Sequence, residues 1–587
     1  MMKKNYVWAL LASMFMVGCS QNDDLPENPG EDQKVEKEWS YMAINVNTAP
    51  STGSRAGEVF DAGTDDESKV KDAYFFFFNA DGSPFTVSEY VPTTNNTTDN
   101  NDAGEGGVNW VKYTFQNGAQ IPENGKLAAV LTLQKIENSY PANVVAVLGW
   151  TPTKGSTESY SLNDLKTGLL QISDTEPIFD GYKKDGYFIM SNSIYNDGTY
   201  NIYATKLTPS NFATTETAAE TTPVEIYVER VAAKVSVKVD ETKDVDGSDN
   251  IFAVQTADAT PQNYEIKIGT ETKQVYAKIL KWDINTTINK SYLLKNIENN
   301  EGFFTSWNDA PNYRSYWANT PADGDYDTSF KFSKFNDLVN GTNPVFDYCL
   351  ENTADADDVD GSNKQTKVIV KAQLGTLDAS TFTSLSIAQW MGTYFTFDNL
   401  KGAVATALSN QLYYSTDGTN WKAINTMEGG SCPGLAYIGL VHGDGDSDNE
   451  ASDYYKASFN YVSPTGTIYW SFDGKNKLID DGENTVAKQV NAKLASLAPA
   501  KVWTDGTAYY YLPIKHLESK FGVVRNHAYE IVINGVVGLG TPVYLPIETS
   551  DPTIPNPEKP EETETYLAAR INVLAWKKVS NNVILGQ

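Results

Sequence analysis

The chain has 587 residues and a formal net charge of −29. This acidic balance excludes a protein that holds nucleic acid through clustered Lys and Arg, and a hydrophobic content of 40% excludes a wholly disordered chain. With only 3 Cys and 3 His, a disulfide scaffold is excluded and His-based chemistry has little room. We expect no enzymatic activity, no cofactor and no metal.

The first segment predicts export. Lys3 and Lys4 precede an apolar run over 6–17, which is too short to span a bilayer, and Gly18-Cys19 closes it. The stretch Met16-Val17-Gly18-Cys19 resembles a lipoprotein signal box, so we expect lipidation at Cys19. An ordinary signal peptide with an incidental Cys is the alternative.

A polar tether over 20–38 precedes the first predicted strand, 39–47. One face of this strand is formed by Met42, Ile44 and Val46. A loop of small residues follows and contains a lone Arg55 before Ala56. Such a loop is accessible to an Arg-specific protease; an ordinary surface Arg is the alternative.

The middle of the chain predicts β-structure with few helices. Val231–Val239 alternates most regularly and predicts a half-buried strand, and the polar segment 240–262 predicts a domain boundary. The best helix candidate is Ala487–Ala498. Cys349 and Cys432 could pair or remain free. Further predicted strands are Ala73–Phe78, Leu127–Leu133, Val144–Leu148, Tyr187–Met190, Val224–Val228, Tyr264–Ile268, Val275–Leu280, Tyr292–Leu294, Val368–Ala372, Tyr394–Phe397, Ala436–Leu440, Ala457–Val462, Ile468–Phe472, Tyr509–Ile514 and Tyr529–Ile533.

The tail differs from the rest of the chain. Segment 547–565 is rich in Pro, Glu and Thr and predicts a semi-rigid linker. Segment 566–587 then alternates, and an apolar face joined only through such a linker predicts a strand that needs a partner. Its apolar positions are Leu567, Ala569, Ile571, Val573, Ala575, Val579, Val583 and Leu585.

The two ends of the chain share a short sequence. Ile44-Asn45-Val46 recurs as Ile571-Asn572-Val573, with the apolar residues in the same phase. Cleavage after Arg55 would release the first strand and expose an unpaired sheet edge. The C-terminal strand of another copy could fill that place by strand addition.

No catalytic arrangement is apparent in the sequence. His442, His516 and His527 lie in different predicted elements. Segments 444–449 and 355–360 carry acidic clusters, of which the first partly resembles a Ca²⁺ loop; solvated loops are the simpler interpretation. The 34 Tyr and 12 Trp could form a carbohydrate platform, but core packing explains them as well.

Several motifs together resemble the fimbrillins of Bacteroidales type V pili, in particular the major subunits of their short (minor, Mfa-type) fimbriae. The motifs follow the same order along almost the whole chain. They are the box ending at Cys19, Ser54-Arg55-Ala56-Gly57, Val228-Glu229-Arg230-Val231-Ala232-Ala233-Lys234-Val235, Ala277-Lys278-Ile279-Leu280-Lys281-Trp282, Tyr292-Leu293, Val524-Arg525-Asn526-His527-Ala528-Tyr529 and Ile571-Asn572-Val573-Leu574-Ala575-Trp576.

The resemblance implies an all-β fold with two transthyretin-like β-sandwich domains and a C-terminal donor strand. It also implies a precursor lipid-anchored at the outer membrane, processing by an Arg-specific protease, and assembly into a cell-surface fimbrium. The partners would be further copies, accessory subunits, an anchor, and receptors on host or bacterial surfaces. The expected segments are a signal peptide (1–19), a propeptide (20–55), two domains (56–242 and 243–546), a linker (547–565) and a donor strand (566–587).

Two other functions stay open at this point. An accessory fimbrial subunit, either a tip adhesin or an anchor, would share many of these features. A base anchor would keep its lipid and would need neither Arg55 nor a free C-terminal strand. A surface glycan-binding lipoprotein would instead use exposed aromatic side chains and give the C-terminal strand no role.

Overall fold

The structure of the chain is a computed structural model, and everything below concerns the residues that it describes. These are 39–47, 64–87, 107–120, 126–134, 139–171, 183–245, 250–257, 260–268, 270–298, 308–310, 313–321, 330–331, 338, 341, 346–355, 365–442, 454–459, 468–517, 520–542, 566–574 and 579–581. The predictions at Cys19, Arg55, Ala56, Ala575, Val583, Leu585 and 444–449 lie outside these ranges, as do most of the acidic cluster 355–360 and the linker 547–565.

By its contacts, Trp39–Gln587 forms one compact unit. Its first sheet uses the N-terminal part of the chain, and the strand order across this sheet does not follow the chain order. In spatial order its strands are Trp110–Gln120, Lys69–Phe78, Asn143–Leu148, Met190–Asn192, Val224–Arg230, Trp39–Asn47 and Lys126–Gln134, with Thr205–Lys206 beside Asn143–Leu148.

The second sheet begins directly after the first ends, because the chain passes from Arg230 to Ala232 and changes sheet. In spatial order its strands are Phe346–Leu350, Ala232–Val239, Ala528–Val537, Ile251–Gln255, Tyr276–Asn285, Lys367–Asp378 and Thr381–Ser384. Three more strands extend it: Thr507–Pro513 pairs with Lys367–Asp378, Tyr566–Leu574 with Ala528–Val537, and Val579–Asn581 with Tyr566–Leu574.

A third sheet contains much of the chain between the second sheet's strands Thr381–Ser384 and Thr507–Pro513. Its strands in spatial order are Glu271–Gln274, Glu265–Ile268, Thr393–Thr396, Ile387–Trp390, Ala500–Trp503, Tyr454–Phe459 and Ile438–His442. Smaller groups of paired strands are Asn352–Asp355 with Lys520–Val523 and Lys515–Leu517, Lys422–Ala423 with Tyr413–Ser415 and Tyr469–Ser471, Tyr195–Asn196 with Asn201–Ile202, Thr287–Ile288 with Phe330–Lys331, Lys290–Tyr292 with Leu169–Gln171, Asn308–Asp309 with Arg314–Ser315, and Lys183–Lys184 with Tyr187–Phe188.

Helices are few and short among the described residues. The α-helices are Asp65–Ser68, Leu162–Thr167, Glu216–Glu220, Phe397–Ala407 and Val486–Leu494, and the 3₁₀-helices are Pro209–Asn211, Pro433–Tyr437 and Thr504–Gly506. None of these helices is long and apolar enough to cross a bilayer. The expectation of an all-β chain with few helices is confirmed, since three large sheets carry the described fold.

Two sequence-based expectations differ from the structure. Phe397–Ala407 is a helix that the sequence analysis missed. Ala232–Val239 is a strand as predicted, but it is buried on both faces rather than on one. In the second sheet this strand pairs with Phe346–Leu350 along one edge and with Ala528–Val537 along the other. The change of sheet therefore precedes the polar segment 240–262, and the domain boundaries stay a prediction.

Both cysteines in the described part of the chain are free. Cys349 lies in the core of the second sheet, and Cys432 is half-buried, where its Sγ is 3.4 Å from the carbonyl oxygen of Ile424. Burial raises the pKa of the Cys349 thiol well above its usual range, so this thiol is a packed apolar group rather than a reactive one.

Candidate strand-exchange site

The N-terminal strand, Trp39–Asn47, is an inner strand of the first sheet. It pairs antiparallel with Lys126–Gln134 along its whole length. On its other side it pairs parallel with Val224–Arg230, from Ile44 opposite Val224 to Asn47 opposite Tyr227. A strand that hydrogen-bonds on both sides contributes to the continuity of the sheet, so its loss would divide the sheet in two.

The side chains of the N-terminal strand help to form the first core. Met42 and Ile44 are both fully buried. They pack in one cluster with the inward residues of the two neighbouring strands, which are Ala129, Leu131, Leu133, Val224, Ile226 and Val228. For Val46, the third residue of the predicted face, the structure describes only the backbone, which pairs with Leu127 and Ile226.

The opposite face of the N-terminal strand is also covered. Ala43 lies between the two core residues in sequence and is 4% exposed. The short helix Glu216–Glu220, which we call the cover helix, packs on both the N-terminal strand and Lys126–Gln134. Its Ala219 is fully buried. The N-terminal strand is therefore enclosed by two strands, a core and a helix.

The strand Lys126–Gln134 depends on the N-terminal strand. It lies at one end of the sheet order, and the N-terminal strand is its only hydrogen-bonded strand neighbour among the described residues. Without the N-terminal strand, it would present an unpaired edge and an uncovered apolar row, both of which are unfavourable in water.

The chain resumes after the predicted cleavage site with a buried anchor. Helix Asp65–Ser68 carries Glu67, which is 1% exposed. The Glu67 carboxylate lies 2.7 Å from the Lys234 ammonium and accepts a hydrogen bond from the Tyr348 hydroxyl. Burial pushes the pKa of Glu67 up, but these two partners hold it below its ordinary value. The anchor joins the residues after Arg55 to the second sheet.

The C-terminal strand, Tyr566–Leu574, is at the edge of the second sheet and is described as backbone. It pairs antiparallel with Ala528–Val537 from Tyr566 opposite Val537 to Leu574 opposite Ala528. Its other side pairs only with the short strand Val579–Asn581. The predicted segment 566–587 is thus not one continuous strand, since the chain reverses between Leu574 and Val579. Leu567, Ala569, Ile571 and Val573 lie in the C-terminal strand, and Val579 begins the returning strand.

Two motifs quoted for the family resemblance meet where the chain changes sheet. The backbone N–H of Asn526 donates to the carbonyl of Ala232, and that of Lys234 donates to the carbonyl of His527. The side chains of Arg230 and Asn526 also meet, at 3.5 Å. Arg230 and Asn526 are 296 positions apart in the chain, so no local pattern could predict the contact.

Buried ion pairs reinforce this junction. Arg525 is fully buried; its Nε lies 3.1 Å from Glu351, and its Nη atoms donate to the backbone carbonyls of Tyr292 and Leu293. Lys295 lies 2.7 Å from Glu229, and burial lowers the pKa of this lysine. The pairing of these residues was not predicted, although charged residues inside apolar strands are a signal in the sequence that buried partners exist.

Two of the three histidines, interpreted from the sequence as scattered, lie together at the junction. The rings of His516 and His527 are 5.0 Å apart. His516 Nδ1 is 2.7 Å from the Tyr529 hydroxyl, and His527 Nδ1 is 2.8 Å from the carbonyl oxygen of Arg525. Burial lowers the pKa of His527 well below its ordinary value, and His516 and Lys295 lower it further. Both side chains are buried, which fits packing rather than catalysis.

The aromatic residues are mainly core residues. Trp282 and Trp470 are almost fully buried, and Trp110, Trp317, Trp390 and Trp503 are each under a tenth exposed. Among the large aromatic side chains in the described part of the chain, Tyr200 is the most exposed, at 69%. This distribution supports the packing interpretation of the high Trp and Tyr content over a carbohydrate platform.

Comparison with known proteins bears on the C-terminal part. Residues 501–582 match the family model described as major fimbrial subunit protein type IV, fimbrillin, C-terminal. This range contains both Ala528–Val537 and the C-terminal strand that pairs with it. The C-terminal part of the chain is thus similar to that of fimbrillins. This similarity supports a fimbrial subunit of the kind that the motifs predicted.

The solved structures that are similar to this chain are only weakly related to it. A Parabacteroides distasonis protein proposed to act in cell adhesion is 11% identical with a TM-score of 0.33, over 91% of this chain and 96% of its own. The tip fimbrial protein Mfa3 from Porphyromonas gingivalis, with a C-terminal truncation, is 11% identical with a TM-score of 0.26, over 87% of this chain and 96% of its own. At these scores the similarity carries no argument about function. No curated protein matches the chain.

Proposed function

We propose that this protein is a fimbrillin that acts as a structural shaft subunit of a surface fimbria and assembles by strand exchange. The precursor is exported as a lipoprotein with Cys19 acylated, and a protease cuts between Arg55 and Ala56. The N-terminal strand then leaves, and the C-terminal strand of another copy takes its place. The observation that carries this proposal is that a strand preceding Arg55 occupies an inner position of the first sheet.

The position of the cleavage site relative to the anchor supports release. Arg55 lies between the N-terminal strand and Glu67, whose buried ion pair with Lys234 ties helix Asp65–Ser68 to the second sheet. Cleavage would therefore free the N-terminal strand and leave the strand Lys69–Phe78 anchored.

The vacated place supplies the driving force for assembly. Met42 and Ile44 are fully buried, and burying a side chain of this size contributes about 1.5–3 kcal/mol. Their departure would leave an apolar groove and two unpaired strand edges. A strand with the same alternation restores both the hydrogen bonds and the packing.

The C-terminal strand is suited to donation because it lies at a sheet edge. It hydrogen-bonds to one long strand and one three-residue strand. Its release would uncover Ala528–Val537 on one side, whereas the strand would gain two long neighbours in the acceptor. Insertion of one copy's tail into the next copy's first sheet is heterologous and does not close, so it produces a fibre.

The same features favour a shaft subunit over an accessory one. A shaft subunit must both accept and donate a strand, and this chain has an enclosed removable strand as well as an edge strand at its tail. The partners are then other copies, accessory subunits, an anchor, an Arg-specific protease and receptors on host or bacterial surfaces. The lipid holds only the precursor to the outer membrane.

The test uses protein lacking residues 1–19, treated with an Arg-specific protease. We expect a new N-terminus at Ala56 and an SDS-resistant ladder on gels of unboiled samples. The matched control lacks 566–587 and should be cleaved equally but form no ladder. A ladder that is unchanged in this control would exclude donation by the C-terminal strand.

A further inference from the structure

We propose that the incoming C-terminal strand binds in a register that places Ala568, and not Arg570, at the position of Ala43. We call the space that the N-terminal strand occupies the slot. The occupant is a second copy of this chain, so the inference rests on the strand exchange proposed above and specifies its geometry.

The sequence allows two registers. The echo register aligns Ile571-Asn572-Val573 with Ile44-Asn45-Val46. The shifted register, displaced by two residues, aligns Tyr-Leu-Ala-Ala-Arg-Ile-Asn at 566–572 with Tyr-Met-Ala-Ile-Asn-Val-Asn at 41–47. Because strand side chains alternate, a shift of two keeps the same set of donor residues on the core face.

Packing on the core face of the slot does not distinguish the two registers. Met42 and Ile44 are the two fully buried residues there. The echo register places the small Ala569 at the position of Met42, and the shifted register places it at the position of Ile44. Each register therefore leaves one comparable gap in the first core and fills the other buried position with a large aliphatic residue.

The opposite face of the slot distinguishes the two registers. Since Met42 and Ile44 point into the core, the side chain of Ala43 points away from it. Ala43 is nevertheless only 4% exposed, and the cover helix with its fully buried Ala219 packs on this strand. This position of the slot is occupied by a methyl group and closed from solvent.

An arginine does not fit such a position. In the echo register Arg570 takes the place of Ala43, and a long cationic side chain would have to displace the residues that close this position or lie buried without a partner, which is strongly unfavourable. In the shifted register Ala568 takes that place with no change of side-chain volume. Arg570 then moves to the position of Asn45, opposite Ala128.

Disulfide trapping reads the register directly. Ala43 lies opposite Val130 in the antiparallel pair, and Cα atoms of opposed residues are about 4.5–5.5 Å apart, within reach of a disulfide. Protein lacking 1–19 carries Cys349→Ala and Cys432→Ala, with Val130→Cys combined with either Ala568→Cys or Arg570→Cys. After cleavage, we expect interchain disulfides to form with cysteine at 568 and none to form with cysteine at 570. The uncleaved precursors are the controls and should give neither.

Each other result overturns the register in a distinguishable way. Trapping at 570 instead of 568 would establish the echo register and leave strand exchange intact. A polymer that requires 566–587 but is trapped by neither pair would also reject the shifted register. Absence of any polymer that requires 566–587 would reject the proposed function together with the register.

A second experiment tests the register by changing the size of the side chains at 568 and 570 and scoring the SDS-resistant ladder. Ala568→Arg should abolish the SDS-resistant ladder, because it puts a long cationic side chain at the closed position of Ala43. Arg570→Ala should retain the ladder. Circular dichroism of the two uncleaved precursors checks that both fold. The reverse pattern, a ladder with Ala568→Arg and none with Arg570→Ala, would contradict the shifted register.

Discussion

Charged residues at the junction are buried in pairs rather than exposed. Glu67 with Lys234, Glu229 with Lys295, and Glu351 with Arg525 are each separated by 2.7–3.1 Å and are at most 2% exposed. A buried ion pair contributes little net stability, because desolvation offsets its attraction, but removing one partner is costly. These pairs therefore specify how the two sheets meet.

Glu67→Gln tests the anchor at this scale. It removes the carboxylate charge 2.7 Å from the buried Lys234 ammonium, and we expect the free energy of unfolding to fall by about 3–5 kcal/mol in denaturant titration. Because the pKa of Glu67 is lowered in the folded protein, its contribution is present above about pH 4.5, the ordinary value, and is lost as the pH falls further.

The matched control is Asp66→Asn in the same helix. Asp66 also pairs with a lysine, Lys69 at 2.7 Å, but its side chain is 87% exposed. Water screens such a pair, so we expect little change in stability. Equal effects of the two substitutions would contradict the role given to burial at Glu67.

His527 should make stability depend on pH. Its pKa is lowered in the folded state, so below about pH 6.5 the unfolded state binds a proton that the folded state does not. We expect the free energy of unfolding to fall between pH 7 and 5 by up to about 1.4 kcal/mol per pH unit from this group.

His527→Asn isolates that contribution. The asparagine amide can still donate to the carbonyl of Arg525, as the ring Nδ1 does, but it does not titrate. Denaturant titrations at several pH values should show a shallower slope for the variant. The other groups near the ring, His516, Lys295 and Arg314, remain in both proteins. Identical slopes would show that His527 does not supply the dependence.

At the scale of elements, the N-terminal strand should stabilise only the precursor. Met42→Ala or Ile44→Ala removes a fully buried side chain, and we expect the precursor's free energy of unfolding to fall by about 2–5 kcal/mol. In the proposed exchange the assembled fibre would no longer contain this strand, so the resistance of the fibre to SDS should be unchanged. Leu169→Ala, at a side chain 52% exposed, is the control and should have a small effect on the precursor.

Loss of the N-terminal strand should also loosen Lys126–Gln134. Protein that lacks 566–587 cannot refill the slot, so hydrogen exchange of these amides should become faster after cleavage. Lys69–Phe78 is the internal control, because it lies between Trp110–Gln120 and Asn143–Leu148 and loses no neighbour. Unchanged protection of Lys126–Gln134 would mean that this strand does not depend on the N-terminal one.

The elements that the sequence predicts best are those with local patterns. Alternation placed the strand Trp39–Asn47 at the bounds that the structure gives it. The helix Phe397–Ala407 was missed because Phe397, Val404 and Thr406 favour strands. Its signal was the spacing of Leu400, Val404 and Leu408, all buried, which is helical.

What the sequence could not give is the identity of neighbours. The two ends of the chain suggested a strand to be lost and a strand to be donated, but not Val224–Arg230, Lys126–Gln134 or the cover helix around the slot. These contacts join segments far apart in the chain. Lys234 shows the same limit. Its buried partner, Glu67, lies much earlier in the chain, and most strands of the first sheet come between the two residues in the sequence.

In the molecule as a whole, the N-terminal strand and the C-terminal strand lie in different sheets. The slot belongs to the first sheet and the C-terminal strand to the second. Between them, the junction joins the sheets through buried ion pairs and backbone hydrogen bonds. In the proposed exchange, the acceptor and the donor of one subunit would thus lie in different parts of it, which is the arrangement that a head-to-tail fibre requires.

Strand exchange between copies is tested most sharply by mixing two variants, each of which should be unable to oligomerise alone. Arg55→Ala retains its N-terminal strand, so it should donate but not accept. Protein lacking 566–587 should accept but not donate. After protease treatment, neither should oligomerise alone, and the mixture should give an SDS-resistant dimer containing one copy of each. No dimer, or oligomers of either variant alone, would contradict strand exchange between copies.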